Sequence, residues 1–425
     1  MYASPLNKLN ARDVVRGIKQ GTFTAEAVTQ ACLDRIDARE DAVKAWAFID
    51  PQLALHQARE RDRAKLKGPL HGLTIGVKDI FDTFDMPTDM GSPIYRNNRT
   101  ATDASCVALV RGAGAVILGK TVTCEFAGLT PNVTRNPLDL TRTPGGSSSG
   151  SAAAVADNMV HVAFGTQTGG SVLRPASFCD VVGYKPTYNI IGRGGMKFAA
   201  ESRDTIGLFA RSVEDVDLVA SVLTGREPST WRDTLPKIAL CRTHLWEHAG
   251  PETKAAVEDS ARRLNVAHEA VLPREFEALA EARTVINPFE RARALAHEWN
   301  RHAHLISPGL TAQIEKGLTI PHARYTASLK RMKECRDLVP SIFGDADILL
   351  APCVTGEAPK GLETTGEPMF QEFWTVLHVP TITLPTHRGP NGLPVGIQLI
   401  GRHYEDVPFL VFARAVFERL RANVS

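Results

Sequence analysis

No excess of one charge sign marks this sequence: 49 Lys and Arg stand against 47 Asp and Glu, a formal net charge of +2. That balance offers no global attraction to phosphate backbones or anionic lipid, so nucleic acid and membrane are set aside as main partners and only a local basic patch is left open. Long apolar runs are missing too. Nowhere do about 18 consecutive apolar residues occur, as a membrane helix requires, and Met1 to Val14 has no basic stretch followed by an apolar one, so no secretory leader is expected. CxxC pairs are absent. The seven cysteines, Cys32, Cys106, Cys124, Cys179, Cys241, Cys335 and Cys353, are odd in number and scattered, unlike a disulfide framework or a zinc ribbon. Buried free thiols in a reducing cytoplasm are the expectation.

What is present suffices for a large core: 43% of the 425 residues are hydrophobic and 23% charged, ordinary values for a folded protein. Val28, Cys32 and Ile36 recur at helical spacing after Thr24, a suitable N-cap, and predict a helix from Ala25 to Arg39. Leu53 to Lys67 continues in charged helical style. An apolar, β-branched strand is expected at Leu73 to Val77, then a helix at Cys106 to Arg111 and a strand at Ala115 to Leu118. Strand, helix, strand implies parallel pairing. Gly145 to Ser151 reads as a tight loop feeding a helix, followed by a strand at Val160 to Phe164. Further strands are expected at Asp347 to Leu350, Thr381 to Leu384 and Val395 to Ile400, and a closing helix from Asp406 to Arg421.

Several motifs are weaker than they look. Gly146 to Gly150 matches GxSxG around Ser148, but a nucleophile elbow needs a strand before it and Leu140 to Pro144 is a poor one. His297, His302 and His304 invite a metal reading, yet a five-residue spacing should turn His297 and His302 to different helix faces. Gly112-Ala113-Gly114 lacks the rest of a dinucleotide fingerprint. No metal or organic cofactor is implied.

The informative pattern is wider. Gly76-Val77-Lys78-Asp79, then Pro144 to Ser151, then Gly165-Thr166-Gln167-Thr168-Gly169-Gly170-Ser171 running to Gly183-Tyr184-Lys185-Pro186-Thr187, follow one another in order. Together these blocks resemble the amidase signature family, with Ser147 and Ser171 at that family's spacing. Thr123 to Ala127 and Gly392 to Gln398 extend the likeness over most of the chain. The resemblance implies Lys78 as catalytic lysine, Ser147 as a bridging serine held by a cis peptide, and Ser171 as nucleophile.

The chemistry is consistent with those residue types. An amide is a poor electrophile with a poor leaving group, so its hydrolysis needs an activated nucleophile, an oxyanion site and a proton for the departing nitrogen. A lysine starts near pKa ~10.4 and must fall towards neutrality to act as a base, which requires Lys78 to be buried. The glycines before Ser171 allow the amides of Thr168, Gly169, Gly170 and Ser171 to turn towards a developing oxyanion.

Gln167 stands where many members have Asp, and Arg174 lies one position later than their arginine. Both features, with Met86 to Ser92 and Thr364 to Pro368, resemble the short malonamidase-type branch. In that branch the arginine binds the substrate carboxylate. An internal ion pair of Arg174 with Asp180 or Glu125 is the alternative. The resemblance therefore implies a single α/β amidase domain over residues 1–425, with a central mixed, largely parallel sheet covered by helices on both faces. It divides into N-terminal helices (1–67), signature core (68–227), a peripheral helical layer (228–343) and a C-terminal completion of the core (344–425). The expected activity is hydrolysis of a small, malonamate-like carboxamide by a homodimer. The same family includes ammonia-releasing subunits of tRNA-dependent amidotransferases and enzymes for aryl amides or carbamates, and these are the alternatives.

Overall fold

The computed structural model describes residues 5–422, so the first four residues of the Met1 to Val14 stretch lie outside it. Eleven strands form one sheet: β1 (Trp46–Ile49), β2 (Thr74–Lys78), β3 (Val116–Thr121), β4 (Val162–Gln167), β5 (Val182–Lys185), β6 (Thr205–Ala210), β7 (Ile238–Leu240), β8 (His268–Glu269), β9 (Ile348–Pro352), β10 (Thr381–Arg388) and β11 (Pro394–Ile400). Their order across the sheet is β1-β3-β2-β4-β6-β5-β10-β11-β9-β7-β8. The sheet is mixed and flanked by helices, as expected. Its parallel pairs are β2 with β3 and β4, and β7 with β8 and β9. The remaining neighbours run antiparallel, among them the β10–β11 hairpin.

Every residue of β2, β3 and β4 is buried. This is why these strands read as continuous apolar runs rather than alternating ones. The helix Ala25–Val43 starts where its cap predicts, with Thr24 Oγ1 accepting from the amide of Ala27 at 3.0 Å. Seven free cysteines are buried. No helix among the described residues is long and apolar enough to cross a membrane.

Two departures from the sequence reading have local causes. The segment 228–343 is mostly helical but also supplies β7 and β8 to the sheet, strands too short to leave a periodic pattern. His297 and His302 do not diverge: their rings approach to 5.9 Å, because the helix Ala296–His302 ends at the second histidine, where φ is −139°. Among the described residues no group of three or more His, Cys, Asp or Glu is placed to hold a metal ion.

The helix Ser149–Ala156 positions the site. Its residues Ser149 to Val155 are buried, which only small side chains permit at this separation. A Cβ on Gly150 would strike the backbone of Ala45 and Val122. The helix packs on β2, β3 and β4, and so holds the preceding glycine-serine loop over the carboxyl end of β2.

Candidate active site

Lys78 ends β2 and is fully buried between β3 and β4. Its Nζ lies 2.9 Å from Ser147 Oγ and 2.7 Å from Thr166 Oγ1 on β4. Among the described residues no carboxylate pairs with it. The next residue, Asp79, is held instead by Lys120 Nζ at 3.1 Å. With desolvation unopposed by a contact ion, burial pushes the Lys78 amine down to about 7. The peptide between Gly146 and Ser147 is cis.

Ser147 is buried, while Ser171 borders a cavity of about 260 Å³. Among the described residues Ser171 Oγ forms no hydrogen bond, so the two serine hydroxyls are not hydrogen-bonded to each other. Catalytic hydrogen bonds commonly close only once a substrate is seated. Ser148 is no nucleophile: its hydroxyl is fully buried and accepts from the amide of Thr166 at 3.3 Å. Ser149 reaches Val122 O at 3.4 Å.

The glycine loop from Thr168 to Ser171 is oriented through its carbonyls. Thr168 O accepts from Arg203 Nε at 3.0 Å and Nη2 at 2.7 Å. Gly169 O accepts from Thr375 Oγ1 at 2.7 Å, and Gly170 O from the amide of Arg174 at 3.0 Å. In a planar trans peptide the following N–H points opposite to the carbonyl. Holding these three oxygens therefore frees the N–H groups of Gly169, Gly170 and Ser171, none of which donates to a protein acceptor among the described residues. Asp204 steadies the loop further by accepting from Thr168 Oγ1 while it takes the amides of Ala199 and Ala200.

Gln167, the departure from the common pattern, caps the next turn. Its Oε1 accepts from the amides of Val172 and Leu173 at 2.8 and 3.0 Å, and its Nε2 donates to Thr375 Oγ1 at 3.0 Å. A neutral amide can do both, whereas a carboxylate could only accept.

Arg174 is buried and pairs with neither expected acid. Asp180 is bound by Arg388 at 2.6 Å, and Glu125 accepts from the amide of Ser307. Arg174 Nη2 instead donates to Gly146 O at 2.7 Å and Thr365 Oγ1 at 3.0 Å, which ties it to the peptide that carries Ser147. Its Nε and Nη1 have no partner.

Sequence reasoning assigned no role to Thr166, Arg203, Asp204 or Thr375. Thr166 lies inside a block the sequence singles out. The other three come from distant segments without a local motif.

Known proteins resemble the chain over nearly its whole length. The family profile named Amidase matches residues 27–410. A glutamyl-tRNA(Gln) amidotransferase subunit from Carboxydothermus hydrogenoformans is 32% identical, covering 96% of this chain and 96% of its own. Among solved structures, an amidase superposes with a TM-score of 0.88 at 28% identity, covering 96% of this chain and 99% of its own. The peptide amidase of Stenotrophomonas maltophilia gives 0.82 at 29% identity, with 98% of each chain covered. The chain belongs to the amidase family and is an amide-cleaving hydrolase.

Proposed function

We propose that the chain hydrolyses a carboxamide through an acyl-enzyme on Ser171. The observation that carries this reading is the buried Lys78 amine, 2.9 Å from Ser147 Oγ and free of any ion pair among the described residues. Ser171 Oγ attacks the amide carbon and gives its proton to Ser147 as Ser147 passes its own to neutral Lys78. The N–H groups of the Thr168 to Ser171 loop stabilise the oxyanion. Collapse breaks the C–N bond, and the Lys78 ammonium returns the proton through Ser147 to the leaving nitrogen. Water then releases the acid by the same route. No step needs a cofactor.

For the substrate, two readings differ in their support. Relatives of 30 to 32% identity over nearly the full length are subunits of glutamyl-tRNA(Gln) amidotransferase, which favours ammonia release from glutamine within a complex. A malonamate-like substrate cleaved by a cytoplasmic homodimer rests on the branch features Gln167, Arg174, Met86 to Ser92 and Thr364 to Pro368. Both place amide cleavage at Ser171, on a single domain over residues 1–425.

Ammonia or amine release from glutamine, malonamate, aliphatic and aryl amides and a carbamate separates these readings. Ser171→Ala should lower turnover by at least roughly 10⁴-fold, and Lys78→Ala should come close. Turnover by the isolated homo-oligomer speaks for the free amidase, and turnover appearing only with partner subunits for the amidotransferase. Normal hydrolysis by pure Ser171→Ala protein, or no labelling of Ser171 by a fluorophosphonate, refutes the mechanism.

A further inference from the structure

A second cavity, of about 670 Å³, shares no lining residue with the cavity over Ser171. The helix Asn287–Ala294 divides the two. Its Asn287, Pro288 and Arg291 border the Ser171 cavity, whereas Phe289, Glu290 and Arg293 border the second. The volume falls within the usual span of small-molecule sites, ~300–1,000 Å³. The proposed hydrolysis uses none of its side chains.

Aromatic rings form much of its wall: Tyr188, Phe198, Phe289 and Tyr325. Three of them carry a guanidinium. Arg193 Cζ stands 4.7 Å from the centre of the Tyr188 ring and 5.0 Å from that of Phe198. Arg293 Cζ stands 3.3 Å from the centre of Phe289, which stacks on Tyr325 at 4.0 Å. A guanidinium laid on a ring keeps the N–H groups of its edge available for a planar anion.

Neither guanidinium meets a carboxylate among the described residues. Arg193 is held by neutral acceptors, Asn189 Oδ1 and the carbonyl oxygens of Glu201 and Asp204. Arg293 donates only through Nη1, to Phe289 O of its own helix at 2.9 Å. The other charges of the cavity are satisfied or screened. Lys197 pairs with Glu298 at 2.7 Å. The Glu290 carboxylate accepts from the Ser202 amide at 3.0 Å and from the Tyr325 hydroxyl at 2.8 Å. Glu201 is exposed, so solvent weakens its field. Ser202 Oγ, also in the wall, is buried without a partner and adds a neutral donor.

We propose that this cavity is a second binding site, for an aromatic carboxylate: Arg293 pairs with the carboxylate, Arg193 adds to the positive field, and the ring of the ligand packs among Phe198, Tyr188 and Tyr325. A flat ring is favoured over an aliphatic chain because ring faces and guanidinium planes reward stacking beyond the area buried. The site stands apart from the reading of Ser171 as nucleophile.

Calorimetric titration of the full chain tests it. Benzoate and 2-naphthoate are the probes, cyclohexanecarboxylate is the acid without an aromatic ring, and benzyl alcohol is the ring without charge. One equivalent of each arenecarboxylate should bind, and the two controls should bind at least roughly fivefold more weakly. Arg293→Gln should weaken the arenecarboxylates by roughly tenfold or more, with part of the loss recovered in Arg293→Lys. Phe198→Leu should weaken them by roughly three- to tenfold. Arg283→Gln changes the cavity over Ser171 and not this one, and it should leave the affinity unaltered, as should Ser171→Ala. Absence of saturable binding, or equal affinity for cyclohexanecarboxylate, overturns the proposal. So does a loss in Arg283→Gln with none in Arg293→Gln, which would put the anion in the catalytic cavity. If Arg293→Gln fails to fold, Phe198→Leu decides, and unchanged affinity in that variant sinks the idea.

Discussion

Arg203 donates through both Nε and Nη2 to the carbonyl oxygen of Thr168, the residue that follows the end of β4 and opens the glycine loop. The fork grips one oxygen while the same Nη2 reaches Glu372 at 2.6 Å. The carbonyl is therefore fixed outward, and the Gly169 N–H inward, by a residue whose own charge is already paired with Glu372. Arg203→Gln should lower kcat by roughly 10- to 100-fold, less than removal of an oxyanion donor itself. KM for a neutral amide should barely move. A steady-state analysis in which KM rises and kcat is kept would assign Arg203 to binding instead.

Lys78 predicts a pH profile. An amine pushed down to about 7 by burial accepts a proton above that value and is blocked below it. Activity should therefore fall as pH drops through about 7 and reach a plateau above it, measured as kcat/KM for a neutral amide. Thr166→Val removes a hydroxyl that stabilises the ammonium and should move this limb to lower pH.

The same burial has a stability consequence. Because the folded value is depressed below the ordinary 10.5, the unfolded chain binds the extra proton between the two values, and stability rises with pH across that window. Lys78→Met should raise Tm at pH 6 and give a shrinking gain as pH approaches the upper end. Thermal melts of both proteins across this range check the sign.

Arg174 supports the peptide before Ser147 through the Gly146 carbonyl. Arg174→Gln should lower kcat for neutral amides and amide acids by the same factor, roughly tenfold or more. A loss confined to KM of the amide acids would show that it clamps a carboxylate.

Gly145 adopts φ +80°, and a Cβ there would lie 2.9 Å from Pro175 Cα. Both the backbone conformation and the space exclude a side chain. Gly145→Ala should cost about 1–3 kcal/mol, read by chemical denaturation, with a fall in kcat because Gly145 is only two residues before Ser147.

Much of the candidate site was legible because its residues fall in contiguous blocks. Lys78, Ser147 and Ser171 each stand in a short stretch of unusual composition, and the order of those stretches carries the likeness to the family. The helix from Asp406 to Arg421 was legible for another reason, since it exposes one face and its apolar spacing records that. The strands β5 and β6 left no such trace. They are buried on both sides and short, so neither alternation nor length distinguishes them.

By itself the sequence determined which atoms are available for the chemistry: an amine at the end of an apolar strand and two hydroxyls in glycine-rich turns. Tertiary structure alone decided that the amine loses its proton affinity, that three carbonyls turn away from the reaction, and that Arg174 is tied to the peptide before Ser147. The physical reason is range. Propensity and periodicity act over a few residues, whereas desolvation and the hydrogen bonds of Arg203, Thr375 and Asp204 join positions 35 to 206 apart along the chain, and they exist only once the sheet has closed around them.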